Sequence, residues 1–192
     1  DVYIPIAERL GFGGIKGELE DLCFKYLYPK EYEEISAMLA SSDEKYQRII
    51  KQVNSALKDM LVDLELEGEV KSRIKRKYSV YKKKLAKGIE SIYDLMAHRI
   101  IVSSVKDCYL VLGEIHNRYK PVPGRIKDYI AAPKKNGYQS LHTTLLTEDG
   151  APFEVQIRTK DMHRVCEFGI AAHWKYKNKA QTSTKNFHSL EN

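Results

Sequence analysis

Between residues 140 and 159 the chain alternates apolar and polar positions on both sides of Glu148-Asp149-Gly150. Two period-two runs flanking turn residues predict a β-hairpin. A three-residue loop sets Leu141 opposite Ile157, Thr143 opposite Val155 and Leu145 opposite Phe153, which makes one apolar face. A two-residue loop would set His142 against Ile157 and mix the faces, so the pattern selects the longer loop. The opposite face then carries His142 beside Gln156 and Thr144 beside Glu154. Such a face can be plain wet surface. Wet faces favour Lys, Thr and Ser, however, and a His-Thr row facing Glu-Gln also suits chemistry.

The remaining pattern mixes helices and strands. Residues 1–40 read as short helices, interrupted around Gly11, Gly13 and Gly14 and stopped at Pro29. Apolar residues from Tyr46 to Leu64 recur at three- and four-residue steps, a longer amphipathic helix that Gly68 ends. Next come a short strand at Val70–Ile74, a basic helix over 75–87, a short helix at 91–95, a strand at His98–Val102 and a helix over 105–118. A loop over 120–138, the hairpin, and a last helix from about 160 to 176 complete the chain. This order predicts an α+β fold. The expected division is a helical segment over 1–68, a mixed α/β domain over 69–177 and a polar tail over 178–192.

Charge divides at the same place. Residues 1–70 hold 8 Lys/Arg against 15 Asp/Glu, whereas residues 71–192 hold 24 against 11. The basic part should attract polyanions such as nucleotides, nucleic acid or an acidic membrane surface. Uncharged apolar stretches are only a handful of residues long, so none spans a bilayer. No secretory signal is read at the start. The three cysteines, Cys23, Cys108 and Cys166, form no CxxC pair and suit a reducing cytoplasm as small core residues. The chain begins at Asp1 rather than Met, and a piece of a longer protein is expected.

Two further stretches carry candidate chemistry. Lys71–Lys87 holds nine Lys or Arg, no acid, and Tyr78 and Tyr81. A solvated basic helix is the plain reading, yet such a helix normally has acids at i−4 to soften repulsion. Their lack argues for an anion such as phosphate. The loop Pro121–Tyr138 adds Arg125, Lys127, Lys134, Lys135, Tyr129 and Tyr138, types that pair with phosphate and stack on bases. Neither GxxxxGK[ST] nor GxGxxG occurs. His116, His163 and His173 stand apart from ligand spacings. Asp94 and Glu154 together would give a hard oxygen site for Mg²⁺.

These motifs resemble the synthetase domain of the RelA/SpoT family, in the same order over nearly all of 70–177. The matching stretches are Arg73-Ile74-Lys75-Arg76-Lys77-Tyr78-Ser79, Ile92-Tyr93-Asp94-Leu95 with Arg99, Lys127-Asp128-Tyr129, Asn136-Gly137-Tyr138-Gln139-Ser140-Leu141-His142, and Glu154-Val155-Gln156-Ile157-Arg158-Thr159. Pro5-Ile6-Ala7-Glu8-Arg9-Leu10-Gly11 resembles the end of the family's hydrolase domain. The hydrolase's His-Asp metal motif is missing from this sequence, so no hydrolysis by this chain is expected.

The resemblance implies a nucleotidyltransferase-like mixed sheet flanked by helices. It implies transfer of pyrophosphate from ATP to the 3′-hydroxyl of GTP or GDP with release of AMP, in the stringent response. Arg73 and Arg99 would sandwich adenine, while Lys75, Ser79 and Lys83 would hold the ATP phosphates. Asp94 and Glu154 would bind Mg²⁺, and Glu154 would also be the general base. Tyr138 would stack on guanine, with Lys127, Lys134, Asn136, His142 and Gln156 fixing the acceptor. The basic pair Arg125 and Lys127 resembles the bifunctional type. His98 departs from the family pattern, where an aliphatic residue is common. No nucleic acid is required by this domain. Competing expectations are an RNA-binding module built on the basic helix, and a silent fragment held closed by its helical segment.

Overall fold

A computed structural model describes residues 2–41, 43–87 and 95–169. Asp94, the short helix expected over 91–95 apart from Leu95, the chain beyond 169 and the side chain of Arg73 lie outside that description.

Four helices come first: α1 (Tyr3–Arg9), α2 (Gly13–Leu27), α3 (Pro29–Ser41) and α4 (Asp43–Asp63). Pro29 does more than stop α2. It occupies the first position of α3, where its missing N–H costs nothing and its fixed φ suits the helix. The mixed part follows as β1 (Gly68–Ile74), α5 (Lys77–Lys87), β2 (Met96–Val102), α6 (Val105–Arg118), β3 (Lys120–Pro121), β4 (Lys127–Asp128), β5 (Leu141–Leu146), β6 (Pro152–Thr159) and α7 (Lys160–Phe168). Ser104 and Asp107 form a reciprocal capping box on α6, and the Thr159 hydroxyl caps α7. The loop over 120–138 differs from the expectation in holding two short strands, each paired to β5.

The sheet runs β1-β2-β6-β5-β3, with β4 also on β5. Among the described strands only β2 and β6 pair in parallel. The hairpin has the expected register: Leu141 opposes Ile157, Thr143 opposes Val155 and Leu145 opposes Phe153. Its loop is the three-residue one. The Gly150 N–H donates to the Thr147 carbonyl, the Thr147 N–H donates to Ala151, and Gly150 has a φ of 76° that a side chain would resist.

The apolar face packs on α4 and α6. Leu57, Met60 and Leu61 of α4 and Cys108, Val111 and Ile115 of α6 join Ile100, Val155, Ile157 and Leu145 in one buried core. α4 thus shares the sheet's core, although the charge break falls after it. A second core joins Phe24, Ile35, Val80 and Leu95, with Tyr32, Tyr78 and Tyr81 packed around them. It fastens α2 and α3 to α5. Phe24 stacks on Tyr81 with ring centroids 4.6 Å apart.

That contact explains the uneven charge. The acids that the basic stretch lacks at i−4 come from the helices beside it. Glu20 lies 3.2 Å from Lys82, and Glu34 lies 3.2 Å from Lys84. Asp21 accepts from the Tyr78 N–H at the start of α5. Lys77 sits over the Tyr32 ring and donates to its hydroxyl. Repulsion along α5 is relieved across a tertiary contact, which no local spacing displays.

Candidate active site

Strand register builds the site on the other face of the sheet. Side chains alternate along a strand, so residues in register share a face. Lys71, Arg99, Gln156, His142 and Lys127 form one row across five strands. Ala97, Glu154 and Thr144 form the adjacent row. Arg73 of β1 pairs with Ala97 of β2, which puts it in the same row as Glu154. This face is not wet surface: Glu154, Thr144 and Arg158 are buried and His142 is half-buried. α7 packs on it near Arg99, whose guanidinium lies 3.1 Å from Glu167.

Glu154 is the centre of the arrangement. Its Oε2 accepts from the Lys75 ammonium at 2.6 Å, and its Oε1 accepts from the Gln156 amide at 2.8 Å. His142 Nδ1 lies 3.4 Å from Oε1. Burial by itself would raise the Glu154 carboxyl. Lys75 and the Gln156 hydrogen bond more than offset it and hold Glu154 below the usual carboxylate range. Burial depresses His142, with Arg158, Lys134 and Lys75 adding to that depression and Glu154 opposing it. The imidazole is therefore neutral near pH 7.

On one side of Glu154 stands a cationic edge where β1 leads into α5, with Lys75 bonded to the carboxylate. Ser79 and Lys83 are one helical turn apart on α5 and face the same way. On the other side stands the loop before β5. The Tyr138 hydroxyl meets His142 Nε2 at 2.7 Å, and Lys134 lies over the Tyr129 and Tyr138 rings at 4.6 and 5.1 Å. Lys134, Asn136 and Tyr138 line a cavity of about 220 Å³ together with Glu8 of α1, Gly11 of the α1–α2 turn, Lys16 of α2 and Cys166 of α7.

Of the two carboxylates expected to hold Mg²⁺, Glu154 is the one described, and its oxygens accept from Lys75 and Gln156. Mg²⁺ commonly takes one or two protein carboxylates and leaves its other positions to water and phosphate oxygens. Glu154 is a buried ionised carboxylate beside the cationic edge. Among the described residues no three His, Cys, Asp or Glu group as ligands, and Asp94 lies outside them.

A model described as "Region found in RelA / SpoT proteins" matches residues 72–181. The chain belongs to the RelA/SpoT family. It is 50% identical over 182 residues to a GTP pyrophosphokinase of Streptomyces coelicolor, covering 94% of this chain and 22% of that protein. It is 45% identical over 186 residues to the bifunctional (p)ppGpp synthase/hydrolase SpoT of Escherichia coli K12, covering 96% and 26%. The chain thus spans about a quarter of the length of these curated relatives. The small alarmone synthetase 1 from Bacillus subtilis, solved bound to its product pppGpp, superposes with a TM-score of 0.56 at 26% identity, covering 76% of this chain and 83% of that one. The expected α+β, nucleotidyltransferase-like sheet is the fold the RelA/SpoT chain has. No helix among the described residues is long and apolar enough to cross a membrane.

Within the RelA/SpoT chain, register brings Arg99, Lys127, His142, Glu154 and Gln156 onto one face, with Lys75 bonded to Glu154 and Tyr138 to His142. Three site features escaped sequence reasoning. Lys75 meets Glu154 directly, Glu167 holds Arg99, and Arg158 lies buried behind Gln156 and Tyr138. Arg158 was legible in part: strand alternation puts it on the face of Glu154 and Gln156.

Proposed function

We propose that this chain is a pyrophosphokinase that moves the β,γ-pyrophosphate of ATP to the 3′-hydroxyl of GTP or GDP and releases AMP. One observation carries the reading: the Glu154 carboxylate is buried between the Lys75 side, which suits a triphosphate, and the Tyr138–His142 side, which suits a purine nucleoside. In this reading Lys75, Ser79 and Lys83 bind the ATP phosphates, and Arg73 and Arg99 flank its adenine. Tyr138 stacks on the guanine, while Lys127, Lys134, Asn136, His142 and Gln156 orient the acceptor. Glu154 takes the 3′-hydroxyl proton as that oxygen attacks the β-phosphorus, and the α-phosphate oxygen of AMP leaves with the bonding pair. Mg²⁺ held by Glu154 and Asp94 would offset charge on the phosphate oxygens. Fixed cations such as Lys75 serve the same end from the protein side.

The reading extends to a cytoplasmic, bifunctional parent enzyme, of which this chain is the synthetase part without hydrolysis of its own. An RNA-binding role finds little support in α5, whose Lys77, Lys82 and Lys84 meet Tyr32, Glu20 and Glu34. A silent, closed fragment has one observation in its favour: the turn between α1 and α2 forms a wall of the Tyr138 cavity. The deciding assay mixes ATP, GDP and Mg²⁺ and follows AMP. Glu154→Gln should retain nucleotide binding and lose roughly 10²-fold or more in turnover. Full turnover in that variant removes the base role, and no AMP from the wild-type chain favours the closed fragment.

A further inference from the structure

Among the described residues Arg158 is the largest fully buried side chain. Its Nη2 donates to the Gln156 Oε1 at 2.7 Å and reaches the Tyr138 hydroxyl at 3.5 Å, and its guanidinium lies 5.5 Å from the Tyr138 ring centroid. Gln156 then donates to Glu154 Oε1 at 2.8 Å. Tyr138 meets His142 Nε2 at 2.7 Å, and His142 Nδ1 faces the same Glu154 oxygen at 3.4 Å. Two routes leave Arg158 and converge on one carboxylate oxygen.

We infer that Arg158 is a positioning residue that closes a ring with Gln156, Glu154, His142 and Tyr138, in which Arg158 at one end and the Glu154 carboxylate at the other set the direction of the protons. The reasoning is donor counting. A guanidinium only donates, and an ionised carboxylate only accepts. Gln156 must therefore accept from Arg158 and donate to Glu154, so its amide has one permitted orientation, oxygen to Arg158 and nitrogen to Glu154. His142 Nδ1 faces the same acceptor-only carboxylate and carries the imidazole proton. Nε2 can then only accept, so the Tyr138 hydroxyl donates to it and offers Arg158 a lone pair.

Two consequences follow for the proposed reaction, on which this inference rests. Glu154 Oε1 receives both routes, so Oε2 is the oxygen left to take the proton of the acceptor's 3′-hydroxyl. The Tyr138 ring, tied at its hydroxyl, is held in one orientation for stacking. Arg158 touches neither reacting atom. It links the base to the acceptor platform from behind, and Lys134 and Lys75 are the other cations acting on His142.

Long-range ¹H–¹⁵N spectra of the histidine-labelled chain at neutral pH test this without turnover, His142 being assigned through His142→Asn. The expected form is Nδ1–H, the minor tautomer of free imidazole. Nε2–H in the wild type overturns the inference. Arg158→Met keeps the buried volume and removes the donors. It should free the Gln156 amide and the Tyr138 hydroxyl, lower kcat about tenfold and raise KM for GDP while leaving KM for ATP unchanged. Arg158→Lys, which keeps the charge but loses the fork, should fall between. Unchanged kcat and unchanged KM for GDP in Arg158→Met, or in Arg158→Lys if the former does not fold, also overturn it. Lack of AMP release by the wild type with Nδ1–H intact would count against the reaction and not against the ring.

Discussion

Lys75 Nζ lies 2.6 Å from Glu154 Oε2, although 79 residues separate them in the chain. The pair joins the end of β1 to β6 across β2 and ties the proposed phosphate binder to the proposed base. Both groups are largely buried, so water screens the attraction little. Lys75→Met should raise the Glu154 pKa, because burial would then act without its main opposing charge. The acid limb of kcat/KM should move to higher pH, and kcat/KM at neutral pH should fall by roughly 10- to 100-fold. A pH–rate profile of AMP release checks both, and an unmoved acid limb would separate Lys75 from Glu154's ionisation.

His98 lies on the apolar face, with Nδ1 2.7 Å from the Ser72 hydroxyl and its ring edge-on to Phe153. Burial pushes it from 6.5 down to about 4. The folded state therefore holds it neutral, while the unfolded chain takes a proton below about 6.5. Its contribution to stability is complete above that pH and is lost as pH falls from about 6.5 to about 4. Between pH 7.5 and pH 5 this amounts to about 2 kcal/mol. Urea unfolding of the wild type and of His98→Leu at both pH values should show a smaller pH loss in the variant by that amount.

Gly169 ends α7 with φ 62° and ψ −153°, a conformation open to glycine almost alone. A Cβ there would collide with the Leu10 carbonyl oxygen. Gly169→Ala should cost about 1–3 kcal/mol from backbone strain and loosen the seat of the α1–α2 turn on the end of α7. Limited proteolysis should cut the α1–α2 turn faster in the variant. If the closed-fragment reading holds, AMP release should rise; unchanged proteolysis would show that this contact does not hold α1.

Leu57 is completely buried in the core shared by α4 and the sheet. Leu57→Ala should destabilise the whole mixed domain by about 2–5 kcal/mol, in a single transition. Thermal unfolding followed by both far-UV and near-UV circular dichroism checks this. Separate transitions for helix and sheet would mean that α4 folds apart from β1–β6.

Much of the fold was legible because its signals are local. The register of β5 and β6 followed from alternation alone, since a shift of one residue would have put His142 in the core. The helices over 43–63 and 105–118 followed from apolar spacing and from the breaks at their ends. The strands β3 and β4 were missed because two-residue strands have no period to read; they exist only because β5 offers them an edge.

What the sequence by itself determined is the set of surfaces: which residues of each strand share a face, which helices are amphipathic, and which motifs mark the RelA/SpoT family. Only the tertiary structure decided how those surfaces meet. It set the acids of α2 and α3 against the lysines of α5, put α4 into the sheet's core, and joined Lys75, His142, Tyr138 and Arg158 around Glu154. The physical reason is range. Alternation and helical spacing act over a few residues, whereas charge pairing and burial act between whatever the packed core brings within a few ångströms.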